Sequence, residues 1–136
     1  MDFFILQWLF LMDEQVAKYL EMLEQSDPVA RITGLDCLYT YDPRSALLEN
    51  ALKKTALVDS SEDVRLKSID LIIKLFKTTS NRAMCQFLAQ IVGNKEEVSS
   101  CRIKAYFAMK MVCWFALRPL IKSKKKSKLC MPKLKK

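Results

Sequence analysis

Apolar residues recur at helical spacing along most of the 136-residue chain, and polar breaks divide them into six stripes. Val16, Tyr19, Leu20 and Leu23 form the first. Ser26-Asp27-Pro28 stops it and starts the next, with Asp27 placed as the N-cap and Pro28 at the first helical position. Ile32, Leu35, Leu38 and Tyr39 line the second helix. Asp42-Pro43 repeats the cap-then-proline signal and opens a third along Leu47, Leu48, Ala51, Leu52 and Ala56. Beyond the turn Asp59-Ser-Ser-Glu-Asp63, a fourth stripe runs through Val64, Ile69, Ile72, Ile73 and Phe76, until Thr78-Thr-Ser-Asn81 breaks it. A fifth helix carries Met84, Phe87, Leu88 and Ile91 and is expected to end at Gly93-Asn94 in a left-handed cap. The sixth starts near Glu96 and carries Val98, Cys101, Ala105, Ala108, Met109 and Val112. Nothing alternates as a strand would. The expected fold is all-α, six helices with short connections making three antiparallel pairs.

The second helices of these pairs align on an arginine. The rows are Arg31-Ile-Thr-Gly34-Leu-Asp-Cys-Leu, Arg65-Leu-Lys-Ser68-Ile-Asp-Leu-Ile and Arg102-Ile-Lys-Ala105-Tyr-Phe-Ala-Met, offset by 34 and 37 residues. An aliphatic residue follows each Arg, and a small one (Gly34, Ser68, Ala105) stands three positions after it. A small residue on an inner face lets the neighbouring helix approach closely, a packing reason to recur. Gly34 within a helix otherwise costs about 1 kcal/mol relative to Ala. These features exceed what shared helical periodicity produces, and they mark a repeat.

The stretch Leu57-Val-Asp59-Ser-Ser-Glu-Asp-Val64-Arg65 resembles the HEAT-repeat family, particularly its short bacterial-type repeats. The resemblance implies an α-solenoid of about three helix pairs in a right-handed superhelical stack, over residues of about 12–41, 42–78 and 80–117. It also implies structural roles for Asp59, Val64 and Arg65, the Asp and Arg hydrogen-bonding in a ladder along the stack, with Arg31 and Arg102 at matching positions. The other units depart from the motif: Gln25 and Ala30 replace the Asp and Val in the first, Glu96 and Cys101 in the third. The tetratricopeptide repeat is the runner-up for a 34-residue pair, but its Trp-x-x-Leu-Gly-x-x-Tyr signature is missing.

Composition narrows the function. Gly occurs twice and Pro four times, as suits helices, and there is no histidine, which removes the commonest general base and zinc ligand. The five cysteines (Cys37, Cys85, Cys101, Cys113, Cys130) have no metal or paired spacing, and read as buried thiols in a reducing, cytoplasmic setting. No phosphate loop or nucleophile motif occurs. Glu62/Asp63 and Glu96/Glu97 fall at helix starts, where the helix dipole accounts for them. Asp36 and Asp70 hold equivalent repeat positions and read as a solvated face. No catalytic residue, cofactor, metal or small-molecule substrate is expected.

The charge is uneven. Residues 1–117 hold fourteen Lys/Arg against fifteen acids, whereas residues 118–136 hold nine Lys/Arg and none. The basic end, expected to be disordered, offers Lys122, Lys124, Lys125, Lys126 and Lys128 to nucleic acid or anionic membrane. Met111, Trp114 and Phe115, in an all-round apolar run, are expected to meet a further repeat, a partner or a second copy. At the other end, residues 1–11 are apolar on every side, too short to span a bilayer and without the charge pattern of a signal peptide. They read either as an extension upstream of a start at Met12 or as an extra helix. The expected function is a non-enzymatic protein-binding scaffold. The alternative is polyanion binding through the tail, with a HEAT-like enzyme ranked after both.

Overall fold

A computed structural model describes residues 2–113, in which six helices are joined by short turns with no strand. They are α1 (Asp2–Leu23), α2 (Pro28–Tyr41), α3 (Ala46–Val58), α4 (Glu62–Phe76), α5 (Arg82–Gly93) and α6 (Ser99–Val112). Trp114, Phe115 and the tail lysines from Lys122 to Lys128 lie outside the described residues. Among the described residues no helix is long and apolar enough to cross a membrane. The chain divides into two compact units, residues 1–71 and 72–136.

In the first unit α1 packs along α2, and α2 also touches α3. Leu35 and Leu38 from α2, Leu48, Leu52 and Ala56 from α3, and Val64, Ile69 and Leu71 from α4 are buried. Asp27 caps α2 as expected, its side chain accepting from the Val29 N–H, with Pro28 in the first turn. Gly34 stands against α1. A Cβ built there would lie 3.0 Å from the Tyr19 carbonyl oxygen and 3.0 Å from Met22 Cβ. Ser68 and Ala105, at the matching positions, are fully buried. The Ser68 hydroxyl lies 2.5 Å from that of Thr55, which ties α4 to α3 inside the core.

In the second unit α5 packs along α6. Met84, Phe87, Leu88 and Ile91 from α5 meet Cys101, Ala105, Ala108 and Val112 from α6 in its buried core. Asn81 caps α5, its side chain accepting from Met84 N–H. The turn before α5 is held from outside: Thr78 and Ser80 take positive φ (63° and 54°), and their N–H groups donate to the Met111 and Val112 carbonyls at 3.0 and 2.9 Å. Those two bonds fill carbonyls that the end of α6 leaves open.

Several local expectations change. Residues 2–11 are the opening turns of α1, continuous with the first stripe, because no cap or breaker separates them from it. Phe3, Phe4, Ile5, Leu6 and Leu11 are exposed on them. Asp42 ends α2 rather than opening α3; its side chain accepts from Arg44 N–H, and Ser45 is the cap of α3. Gly93 is the last residue of α5 and Asn94 is extended at φ −79°, so the left-handed cap is not formed there. α6 begins at Ser99, after Glu96 and Glu97 have formed the turn.

The cysteine expectation is corrected in part. Cys85 and Cys113 form a disulfide joining α5 to the end of α6, while Cys37 carries a free thiol. The antiparallel hairpin brings their Cα atoms to 6.4 Å, within the bridging range, across 28 residues of sequence. The bridge removes the cysteine argument for a reducing compartment.

Candidate functional site

Arg31 makes four side-chain hydrogen bonds. Its Nε and Nη2 donate to the two carboxylate oxygens of Asp59, both at 2.9 Å, in a bidentate fork. Its Nη1 donates to the Gln25 and Ser26 carbonyls, each at 2.9 Å, past the end of α1. Planar guanidinium geometry matches this set of acceptors, whereas a lysine would reach one at a time. Both side chains are nearly buried. The Asp59 carboxylate raises the Arg31 pKa above its ordinary value, and burial pulls against it. A raised basic pKa contributes stability that is fully present below the ordinary guanidinium value and is lost only as pH rises through the raised one. The tie therefore holds unchanged through neutral pH.

Asp59 has further bonds. Its Oδ1 accepts from Ser61 N–H at 2.9 Å, shaping the turn into α4, and its carbonyl accepts from Arg65 Nη1 at 2.7 Å. Arg31 and Arg65 thus each donate to the carbonyl six positions earlier, Gln25 and Asp59 respectively. Arg102 reaches ten back, donating from Nε to the Val92 carbonyl at 3.1 Å. The longer turn before α6 accounts for the different offset. In all three cases a cation closes the carboxyl end of the preceding helix, where the helix dipole favours it. Val64 is buried below the turn, its N–H donating to Ser61 Oγ at 3.4 Å.

Next to this tie α1 and α3 stand apart, and a groove of about 840 Å³ opens between them. Leu20 and Leu23 line it from α1, and Leu47, Ala51 and Val58 from α3. Leu47 is 51 % exposed and Val58 70 %, so this apolar surface faces solvent. Glu21 and Glu24 stand on one wall and Lys54 on the other, with Asp59 among the lining residues. Chemically the groove offers an apolar trough with a polar rim and a hydrogen-bonded, nearly buried ion pair beside it.

The sequence-derived residues fall into separate places. Asp59, Val64, Arg65 and Arg31 meet in the first unit, with Gly34 and Ser68 in its helix contacts. Arg102, Ala105 and Met111 belong to the second unit, where Met111 supplies a carbonyl to the Thr78 N–H. Asp36 ion-pairs with Lys67 at 3.0 Å, a surface charge pair. Among the described residues no three His, Cys, Asp or Glu side chains gather as a metal site. Sequence reasoning missed the groove. Spacing alone places Leu47 in the α3 stripe, whereas the buried face runs through Leu48, Leu52 and Ala56 and leaves Leu47 and Val58 in solvent.

Against this geometry, comparison with protein families, with curated proteins and with solved structures finds no match to the chain. The class that fold and site define is an all-helical protein of packed helix pairs.

Proposed function

We infer that the chain is a non-enzymatic, HEAT-like helical-repeat scaffold whose α1–α3 groove binds a basic amphipathic helix of a partner protein. The observation that carries this reading is the open apolar trough between two helices whose ends are tied by Arg31 and Asp59. A partner helix seats its apolar face in such a trough through residues at i, i+3, i+4 and i+7. A basic flank suits the site because residues 1–71 carry thirteen acids and seven Lys/Arg, net −6. The matched six-residue reach of Arg31 and Arg65 supports a repeat, and in the HEAT resemblance the Arg31–Asp59 pair would be one rung of the ladder.

The test is titration of the full chain with a helical Leu/Lys amphipathic peptide, followed by amide chemical shifts. Shifts should cluster on α1 and α3, and Leu47→Asp or Val58→Asp should weaken binding by about tenfold or more by removing an apolar contact to the partner helix. Both side chains are exposed, so neither change should alter the helical circular dichroism. Equal binding by both variants, or equal binding of an acidic amphipathic peptide, would overturn the reading.

A further inference from the structure

The second unit presents a surface of opposite character. Cys101, Ala105, Ala108 and Val112 bury one face of α6. On the other, Ile103, Tyr106 and Phe107 are 68 %, 51 % and 54 % exposed. Lys110 is exposed one turn further on, with its Nζ 4.7 Å from the Tyr106 ring centroid. Positions 103, 106, 107 and 110 share one helical face, so these side chains form a contiguous stripe. α6 has no acidic residue, and none follows Glu97 in the sequence. Residues 72–136 carry sixteen Lys/Arg and two acids, net +14.

This combination selects among ligands. A net charge of that size draws polyanions, with an affinity that falls steeply with salt. Exposed rings beside lysines add stacking, which only unpaired bases can use because a duplex hides its base faces. A membrane-lying helix needs a broad apolar face with basic residues at its margins. α6 buries its wider apolar face in the unit and holds Lys110 over a ring within the exposed stripe. An acidic polypeptide would satisfy the charge and leave the rings without a partner.

We propose that the solvent face of α6 binds single-stranded nucleic acid. Tyr106 and Phe107 stack on bases, and Lys110 holds a phosphate. Recognition is of unpaired strand rather than of sequence.

Fluorescence anisotropy of the full chain tests this with a labelled oligouridylate of about 12 nucleotides, a length within the usual site size. Tyr106→Leu/Phe107→Leu keeps apolar area and helix propensity while removing both π faces. It should weaken binding by about tenfold or more, with the dependence of log affinity on log salt unchanged. Lys110→Gln should weaken binding and reduce that salt slope by about one. A duplex of equal length should bind more weakly and ignore the leucine variant. The proposal fails if wild type does not bind the oligonucleotide, or if the leucine variant binds it as wild type does. It also fails if the duplex binds equally well, if polyglutamate competes as well as unlabelled strand, or if phosphatidylserine vesicles bind more tightly than the oligonucleotide. Normal circular dichroism of both variants separates lost contact from lost fold.

Discussion

Replacing Gly34 with leucine is expected to undock α1 from α2 and to unfold the first unit under conditions where the second remains protected. A Cβ at this position would stand 3.0 Å from the Tyr19 carbonyl oxygen, 3.0 Å from Met22 Cβ and 3.2 Å from Leu23 Cδ2. The first two are not the free ends of flexible side chains, so α1 itself must move. Movement is resisted at its carboxyl end, where Arg31 holds the Gln25 and Ser26 carbonyls. Even Gly34→Ala, which gains about 1 kcal/mol of helix propensity, should lose stability overall, because overpacking costs about 1–3 kcal/mol. Leucine adds three more carbons to the same contact. Its cost should approach the whole stability of a small unit, about 5 kcal/mol at the low end for folded domains. Urea denaturation gives the ranking, and amide exchange locates it: loss of protection should be confined to α1 and its neighbours, with α5 and α6 retained. The edge-on contact of the Tyr19 and Tyr41 rings, centroids 6.0 Å apart, gives a near-ultraviolet signal that should vanish with leucine. A Gly34→Ala variant more stable than wild type would show that the helix contact is looser than this geometry.

Much of this architecture is legible in sequence, where local chemistry determines the outcome. Asp27-Pro28 caps α2 because a carboxylate and a fixed φ meet at a helix start. Gly34, Ser68 and Ala105 share a register because each lies in a helix contact, and a small side chain is what such a contact admits. Asp42-Pro43 reads the same way as Asp27-Pro28 but forms a turn. Its N–H closes α2 by donating to the Leu38 carbonyl, and the cap passes to Ser45. The dipeptide alone cannot distinguish these outcomes.

What sequence leaves unread is set by partners far along the chain. Thr78 and Ser80 adopt positive φ because carbonyls more than 30 residues away receive their N–H groups, whereas Gly93, the residue best suited to that conformation, remains helical. Cys85 and Cys113 share no motif spacing and meet only once the α5–α6 hairpin forms. The groove is of the same kind. Leu47 and Val58 have ordinary helical positions, and their exposure follows from α1 standing away from α3, a distance that neither segment encodes alone. The Tyr106–Phe107 face became visible when burial of Cys101, Ala105 and Ala108 fixed which side of α6 points outward.

Breaking the Arg31–Asp59 tie should produce the second large loss, unequal for the two partners. Asp59→Ala leaves the guanidinium bonded to the Gln25 and Ser26 carbonyls but removes the carboxylate that balances its charge in a nearly buried site. It also removes the acceptor for the Ser61 N–H that shapes the turn into α4. Arg31→Met spares that turn but abandons three acceptors: two backbone carbonyls and a carboxylate. Uncompensated polar groups cost more than the pair itself contributes, so each single change should lower Tm by several degrees. Arg31→Lys should recover little, because one ammonium cannot serve the carboxylate and the carbonyls together. The double variant should cost less than the sum of the singles, since the second change removes a charge that the first had stranded. It should not return to wild type, because the Gln25 and Ser26 carbonyls and the Ser61 N–H still lack their partners. Differential scanning calorimetry of the four proteins measures the coupling. Repeating it at high salt separates this site from surface pairs such as Lys53–Glu49, which added ions should screen first. Strict additivity, or a coupling that disappears with salt, would mean that Arg31 and Asp59 behave as solvated neighbours rather than as the joint between the ends of α1 and α3.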